Sequence, residues 1–152
     1  MPERRTLERA RADRRQGKAA STQAGEFIRE QIRHIREGRH GARSAKQAIA
    51  IGLSEARRAG VALAPPSAAK TSAESRKRAA RDYARGQGTA PKQKSTARRS
   101  RASENALKRE SPAAASPQAL SRQARSAAAR RSPAEKSAAA RHAARTRARN
   151  RH

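Results

Sequence analysis

The chain has 152 residues, enough for one ordinary domain, with 38 Lys and Arg against 12 Asp and Glu and a formal net charge of +26. Aromatic residues make up 1% of it, Cys is absent, and only fourteen bulky apolar residues occur, from Met1 to Leu120. These figures exclude a disulfide framework, a Cys-based zinc or redox centre, and a catalytic pocket walled by a large apolar core.

Burying a large apolar side chain gains roughly 1.5–3 kcal/mol, and ordering one residue costs about 1.5 kcal/mol. On that comparison fourteen bulky side chains support only a small folded part. High net charge with few bulky residues is also the composition of disorder. The expected fold is therefore mostly disordered with α content: a charged N-terminal arm over 1–20, a small helical module over 21–64, and a disordered Ala/Arg-rich basic tail over 65–152. Nine of the fourteen bulky residues lie between Phe27 and Leu63. Residues 1–66 carry 15 basic and 7 acidic residues, a net of +8, whereas residues 67–152 carry 23 and 5, a net of +18. The boundary falls at Pro65-Pro66. A GC-rich codon bias would account for Arg over Lys, 30 to 8, but not for the scarcity of acids.

In chain order, Pro2 to Gln16 is helix-prone and charged, with Leu7 as its one interior bulky residue. It is either a solvated helix or none, and Gly17 ends it. The next helix starts after Ser21 or Thr22, either of which suits an N-cap, and runs to about Glu37. Ile28, Ile32 and Ile35 stand at i, i+4 and i+7 and make one apolar stripe, flanked by Phe27 and Gln31, with Arg29, Arg33 and Arg36 turned away. Gly38-Arg39-His40-Gly41 reads as a turn. Ser44 and Gln47 have capping-box spacing and start a second helix, with Ala45, Ala48, Ile49, Gly52, Leu53 and Ala56 on its apolar face and Gly60 at its C-terminal end. Ile49, Ile51 and Leu53 also alternate like a strand, but length, Ala content and the cap favour helix. Ile51 then lies off the main face and hints at a partner surface.

Together these elements make a short helical hairpin near residues 22–60. Its core is thin, so it is expected to self-associate through Ile28, Ile32, Ile35, Ile49, Ile51 and Leu53, or to recruit the N-terminal segment. Beyond Pro66 the chain is low in complexity. Thr71-Ser72-Ala73-Glu74 and Ser132-Pro133-Ala134-Glu135 read as capping boxes, and Ser116-Pro117 repeats the Ser-Pro start. These stretches combine high helix propensity with no apolar face. Repulsion among Arg residues is expected to keep them frayed until a polyanion neutralises the charge.

The run Ser44-Ala45-Lys46-Gln47-Ala48-Ile49-Ala50-Ile51-Gly52-Leu53-Ser54-Glu55-Ala56 resembles a stretch found in a family of small basic bacterial proteins classed as a domain of unknown function. The resemblance covers residues 21–63 and implies a bacterial origin but no activity. In composition, the tail resembles the basic tails of linker histones and bacterial histone-like proteins, with more Arg than most such tails. That likeness implies DNA compaction only by analogy.

No arrangement of catalytic or metal-binding groups stands out. His34, His40, His142 and His152 form no His pair at i, i+4, and His34 and His40 with Glu37 between them read as a helix end and turn rather than ligands. Glu26, Glu30 and Glu37 lie among Arg residues and read as ion-paired. Gly86-Gln87-Gly88 lacks the Lys-Ser/Thr pair and strand–helix setting of a phosphate loop. We expect no enzyme, no cofactor and no metal.

The charge clusters carry the strongest signal: Arg76-Lys77-Arg78 with Arg81, Arg98-Arg99 with Arg101, Arg130-Arg131, and Arg145, Arg147, Arg149 and Arg151. Arg presents planar donors suited to phosphate. Arg39, Arg43 and Lys46 flank the start of the Ser44 helix, where backbone N–H groups also favour phosphate. A base-reading helix-turn-helix is the weaker reading of the same hairpin. Missing aromatics argue against single-strand stacking and RNA-recognition-motif platforms. No apolar run approaches the ~18–20 residues of a membrane span. Met1 to Lys18 lacks a secretory signal's apolar stretch, and no basic face pairs with Leu, Phe or Trp anchors.

The expectation is a cytoplasmic, nucleoid-associated, histone-like protein that binds nucleic acid, DNA ahead of RNA, by neutralising phosphates. The alternatives are a protein-interaction or oligomerisation module tethered by its basic tail, and an RNA- or ribosome-associated protein.

Overall fold

The stripe of Ile28, Ile32 and Ile35 lies on helix α2 (Ala20–Arg36), and the Ser44 signal starts helix α3 (Ala45–Arg58). The computed structural model describes residues 1–90 and 96–151, and in it these two helices pack as the expected hairpin. The Ser44 hydroxyl accepts from the Gln47 N–H at 3.2 Å. The Gln47 side chain reaches the Arg43 N–H at 2.7 Å, one residue earlier than a capping box requires. Gly38 and Gly60 take left-handed φ values of 71° and 91° where α2 and α3 end. Ile49, Ile51 and Leu53 are all helical, which removes the strand alternative. The hairpin closes at Gly52, where a Cβ would stand 2.7 Å from the Ile28 Cα, so the two backbones approach without a side chain between them.

The N-terminal segment is a helix too, α1 (Arg4–Arg15), and it is not merely solvated. Thr6, Ala10 and Asp13 are buried, and Leu7 packs on a core of Ala10, Ala24, Phe27, Ala56 and Val61. The hairpin therefore recruits this arm, one of the two outcomes its thin core called for. A second core joins Ile35, Ala42 and Ala48 to Ala114 and Ala115, with Ile32 packed against it. Ala114 and Ala115 come from a short 3-10 turn, Pro112–Ala115, far along the chain. Arg36 Nε donates to the Ala115 carbonyl at 3.0 Å, the Gly41 N–H to Leu107 at 2.8 Å, and the Ala42 N–H to Ser111 at 3.2 Å. Gly41 is required there, because a Cβ would overlap the Glu110 carbonyl.

Four more helices follow α3: α4 (Ala73–Gly86), α5 (Ala97–Lys108), α6 (Pro117–Ala129) and α7 (Pro133–Arg149). Helix α4 packs on α3, with Ser54 donating to Asp82 and Ala79 buried. The 3-10 turn and α6 pack on the hairpin. Helix α7 lies beside the link between α1 and α2.

The expectation of a mostly disordered chain with a disordered tail over 65–152 is therefore wrong: the described residues of that region form four α-helices and a 3-10 turn. The error lay in counting only bulky side chains. Ala10, Ala24, Ala42, Ala45, Ala48, Ala56, Ala79, Ala114 and Ala115 are all buried, and their small size lets helix backbones come close. Ala, Arg, Lys, Gln and Glu are also strong helix formers. Side chains of Ser72, Thr96, Ser111, Ser116 and Ser132 cap the helix starts after Pro66, with Pro at the first turn in three of them. Pairs such as Glu104 with Lys108 at 2.8 Å offset part of the Arg repulsion. Helices α5, α6 and α7 bury none of their own residues, so their helicity rests on these local terms.

The apolar set expected at a self-association surface is drawn inward. Ile35 is fully buried, while Ile28, Ile32, Ile49, Ile51 and Leu53 are half-buried.

Candidate nucleic-acid interface

Where the few acids go decides what surface the cations present. Glu26 and Glu30 are buried on α2 and Asp13 on α1. Glu26 pairs with Arg29 at 2.8 Å and lies 3.9 Å from Arg9, and Asp13 pairs with Lys18 at 2.7 Å. Glu3 meets His34 at 2.9 Å, Arg33 at 2.5 Å and Arg39 at 3.2 Å. Hydrogen bonds from His34 and Arg33 hold its carboxyl down at about 2. Glu135 is likewise held at about 2 by Lys70, 2.6 Å away, and by the Ser132 N–H. Burial pushes the Glu55 carboxyl up, and Gln31 donates to it at 2.7 Å. Burial lowers the Arg57 guanidinium, which donates to the Leu63 carbonyl at 3.1 Å and so serves the fold.

With most acids paired in this way, one basic groove stands out. It lies between the start of α3 and the face of α6 and measures about 490 Å³. Arg43, Ser44, Ala45 and Lys46 form one wall, Arg122, Gln123 and Ser126 the other, and Ala113, Ala114 and Ala119 complete the lining, which contains no acid. Arg43, Lys46 and Arg122 are exposed. The α3 dipole adds partial positive charge at the same place. The groove exists because Gly41 and Arg36 hold the 3-10 turn, and with it the start of α6, against the hairpin.

The expected phosphate anchor is thus divided. Arg43 and Lys46 face the groove, but Arg39 is engaged by Glu3 and by Glu37 at 3.0 Å. On α4, Lys77 and Arg81 are exposed one turn apart, Arg78 pairs with Glu74, and Arg76 is half-buried. Arg98, Arg99 and Arg101 are exposed on α5. Arg130 and Arg131 are exposed after α6, with Arg130 donating to Ser126 at 2.8 Å. On α7, Arg145 and Arg147 are exposed, as is Arg151 beyond it. Arg149 instead donates to the carbonyls of Gln16 at 3.2 Å and Gly17 at 3.1 Å, capping the end of α1. These clusters lie on separate elements, α4, α5, α7 and the segment after α6. Arg122 and Gln123 were missed by the sequence reading. They belong to no charge run, and only the long-range docking of α6 brings them to the start of α3.

Residues 3–67 match the model of a family of unknown function, DUF6496. No curated protein and no solved structure matches the chain. The DUF6496 segment takes in all of α1, α2 and α3, a wider unit than the 21–63 stretch that carried the resemblance. It contains Arg43 and Lys46, whereas the opposite wall of the groove lies outside it. Among the described residues, no helix is long and apolar enough to cross a membrane.

Proposed function

We propose that this protein binds duplex nucleic acid, DNA ahead of RNA, with little sequence preference, through cations displayed on a folded helical scaffold. The observation that carries this reading is the groove of Arg43, Lys46 and Arg122 at the N-terminus of α3, lined without an acidic residue. Phosphate is the ligand chemistry that suits three cations gathered at a helix N-terminus. The exposed cations of α4, α5 and α7 add a diffuse field that would draw in a polyanion from any approach. The single Phe is buried and the single Tyr half-buried, so stacking on single strands has little support. The action is binding and not catalysis, and in a cell it would place the protein with the nucleoid.

The test is fluorescence anisotropy with matched DNA and RNA duplexes across a salt series. Log affinity should fall with log salt by about 0.9 per phosphate neutralised. The triple substitution Arg43→Ala, Lys46→Ala, Arg122→Ala should flatten that slope by about 2–3 units and weaken every duplex alike. Binding that is absent at moderate salt, or unchanged in slope by the triple variant, would refute the assignment. Tighter binding of the RNA duplex would reassign the partner.

A further inference from the structure

We infer that Glu3, Glu30 and His34 form a site for one zinc-type divalent metal ion, which clips the segment before α1 onto α2. Each residue offers one donor atom, and the three donors lie within 4.8 Å of one another. Glu30 and His34 are one turn apart on α2 and so share a face, and Glu3 arrives from just before α1. His34 Nε2 is 2.9 Å from Glu3 Oε1 and 3.8 Å from Glu30 Oε1. Zinc bonds to nitrogen and oxygen are about 2.0–2.2 Å, which asks for donors roughly 3–3.5 Å apart. The two distances from His34, 2.9 and 3.8 Å, bracket that spacing, and the more exposed Glu3 carboxylate is free to close the remainder of the 4.8 Å span.

Two further observations point to a cation as the ligand. The Glu30 side chain is 1% exposed, yet its Oε2 has no hydrogen-bond partner. Its Oε1 accepts from the Glu3 N–H at 2.9 Å. A buried carboxylate with one idle oxygen is costly unless a cation neutralises it. The second observation is at His34 Nε2, which faces both Glu3 Oε1 at 2.9 Å and Arg39 Nη1 at 3.1 Å. Toward the carboxylate it must carry a proton, and toward the guanidinium it must present a lone pair, so one nitrogen cannot serve both. A metal ion takes the lone pair and both carboxylates together, and the ring proton then sits on Nδ1.

Arg33 and Arg39 now hold Glu3 and are the competitors. Their side chains are 44% and 54% exposed, so both can withdraw to water, and Arg39 keeps Glu37. Two carboxylates and a neutral imidazole around a divalent ion sum to zero charge. A nitrogen donor favours zinc over magnesium or calcium, which prefer all-oxygen shells.

The experiment uses the tag-free full chain, stripped with a chelator and titrated with Zn2+ by calorimetry and by thermal melting, with Mg2+ as control. One Zn2+ per chain and a melting temperature raised by Zn2+ but not Mg2+ are expected. Co2+ in place of Zn2+ should give visible bands of nitrogen–oxygen coordination. Glu3→Gln lies outside any helix and should keep the fold, and His34→Gln removes the nitrogen. Each should weaken Zn2+ binding about tenfold or more. Failure of the parent chain to bind Zn2+ would overturn the inference. So would binding that survives both substitutions, since His40 or His142 would then be holding the ion.

Discussion

Gly52→Ala separates two opposing effects at the α2–α3 crossing. A mid-helix Gly→Ala change ordinarily stabilises by about 1 kcal/mol through helix propensity. At Gly52 the new Cβ would stand 2.7 Å from the Ile28 Cα and 2.9 Å from its N, both backbone atoms that cannot rotate away. Forcing the helices apart costs about 1–3 kcal/mol. The net expectation is a loss of about 1 kcal/mol, or roughly 2–4 °C in melting temperature for a chain of this size. Gly25, in the middle of α2, is the internal control, because nothing lies within 4 Å of its Cβ. Gly25→Ala should gain about 1 kcal/mol and raise the melting temperature by a similar 2–4 °C. Thermal and urea denaturation followed by circular dichroism would read both variants. Two stabilised variants would show that the hairpin is not crossed at Gly52, and the account of how α2 meets α3 would fail.

Phe27 is the largest side chain that is fully buried, so Phe27→Ala should cost about 3–5 kcal/mol and unfold much of the α1–α2–α3 unit in a urea titration. Glu3 has its carboxyl held at about 2, below the ordinary 4.5, by His34 and Arg33. The stabilisation from that depressed value is present above the unfolded pKa and is lost as pH falls toward 2. Stability measured from neutral to acid pH should therefore drop less in Glu3→Gln than in the parent chain. The full capping box at Ser132 and Glu135 starts α7, so Ser132→Ala should cost about 1 kcal/mol locally. Faster amide exchange confined to the first turns of α7 would register that loss, and unchanged exchange would deny the cap its role.

Much of the local structure was legible because its causes act over four residues or fewer. The Ser44 cap, the Gly38 and Gly60 ends and the Ile28–Ile32–Ile35 stripe lie where the pattern puts them. Helix α2 begins at Ala20 after Ala19, without a side-chain cap, so the Ser21 or Thr22 cap was two or three residues late. The signals at Ser116 and Ser132 were read correctly as helix starts, whereas the Thr71–Glu74 box does not form and Ser72, one residue later, caps α4 through the Ser75 N–H. What misled was the inference from scarce bulky residues to a disordered tail. Burial by Ala leaves little mark in a tally of large side chains, and helix propensity leaves none.

The sequence by itself determined the sign of the charge, its excess and most helix starts, since composition and short-range hydrogen bonding need no partner from elsewhere. Only the tertiary structure decided which residues meet. Arg36 reaches the carbonyl of Ala115, 79 residues away. Arg122 faces Arg43 and Lys46, and Glu3 turns toward Glu30 and His34. The α2–α3 crossing and the docking of the 3-10 turn depend on backbone approaches at Gly52 and Gly41, where the missing Cβ is the condition for contact. A glycine's letter does not say what will come against it, and the close packing of distant helices supplies that answer.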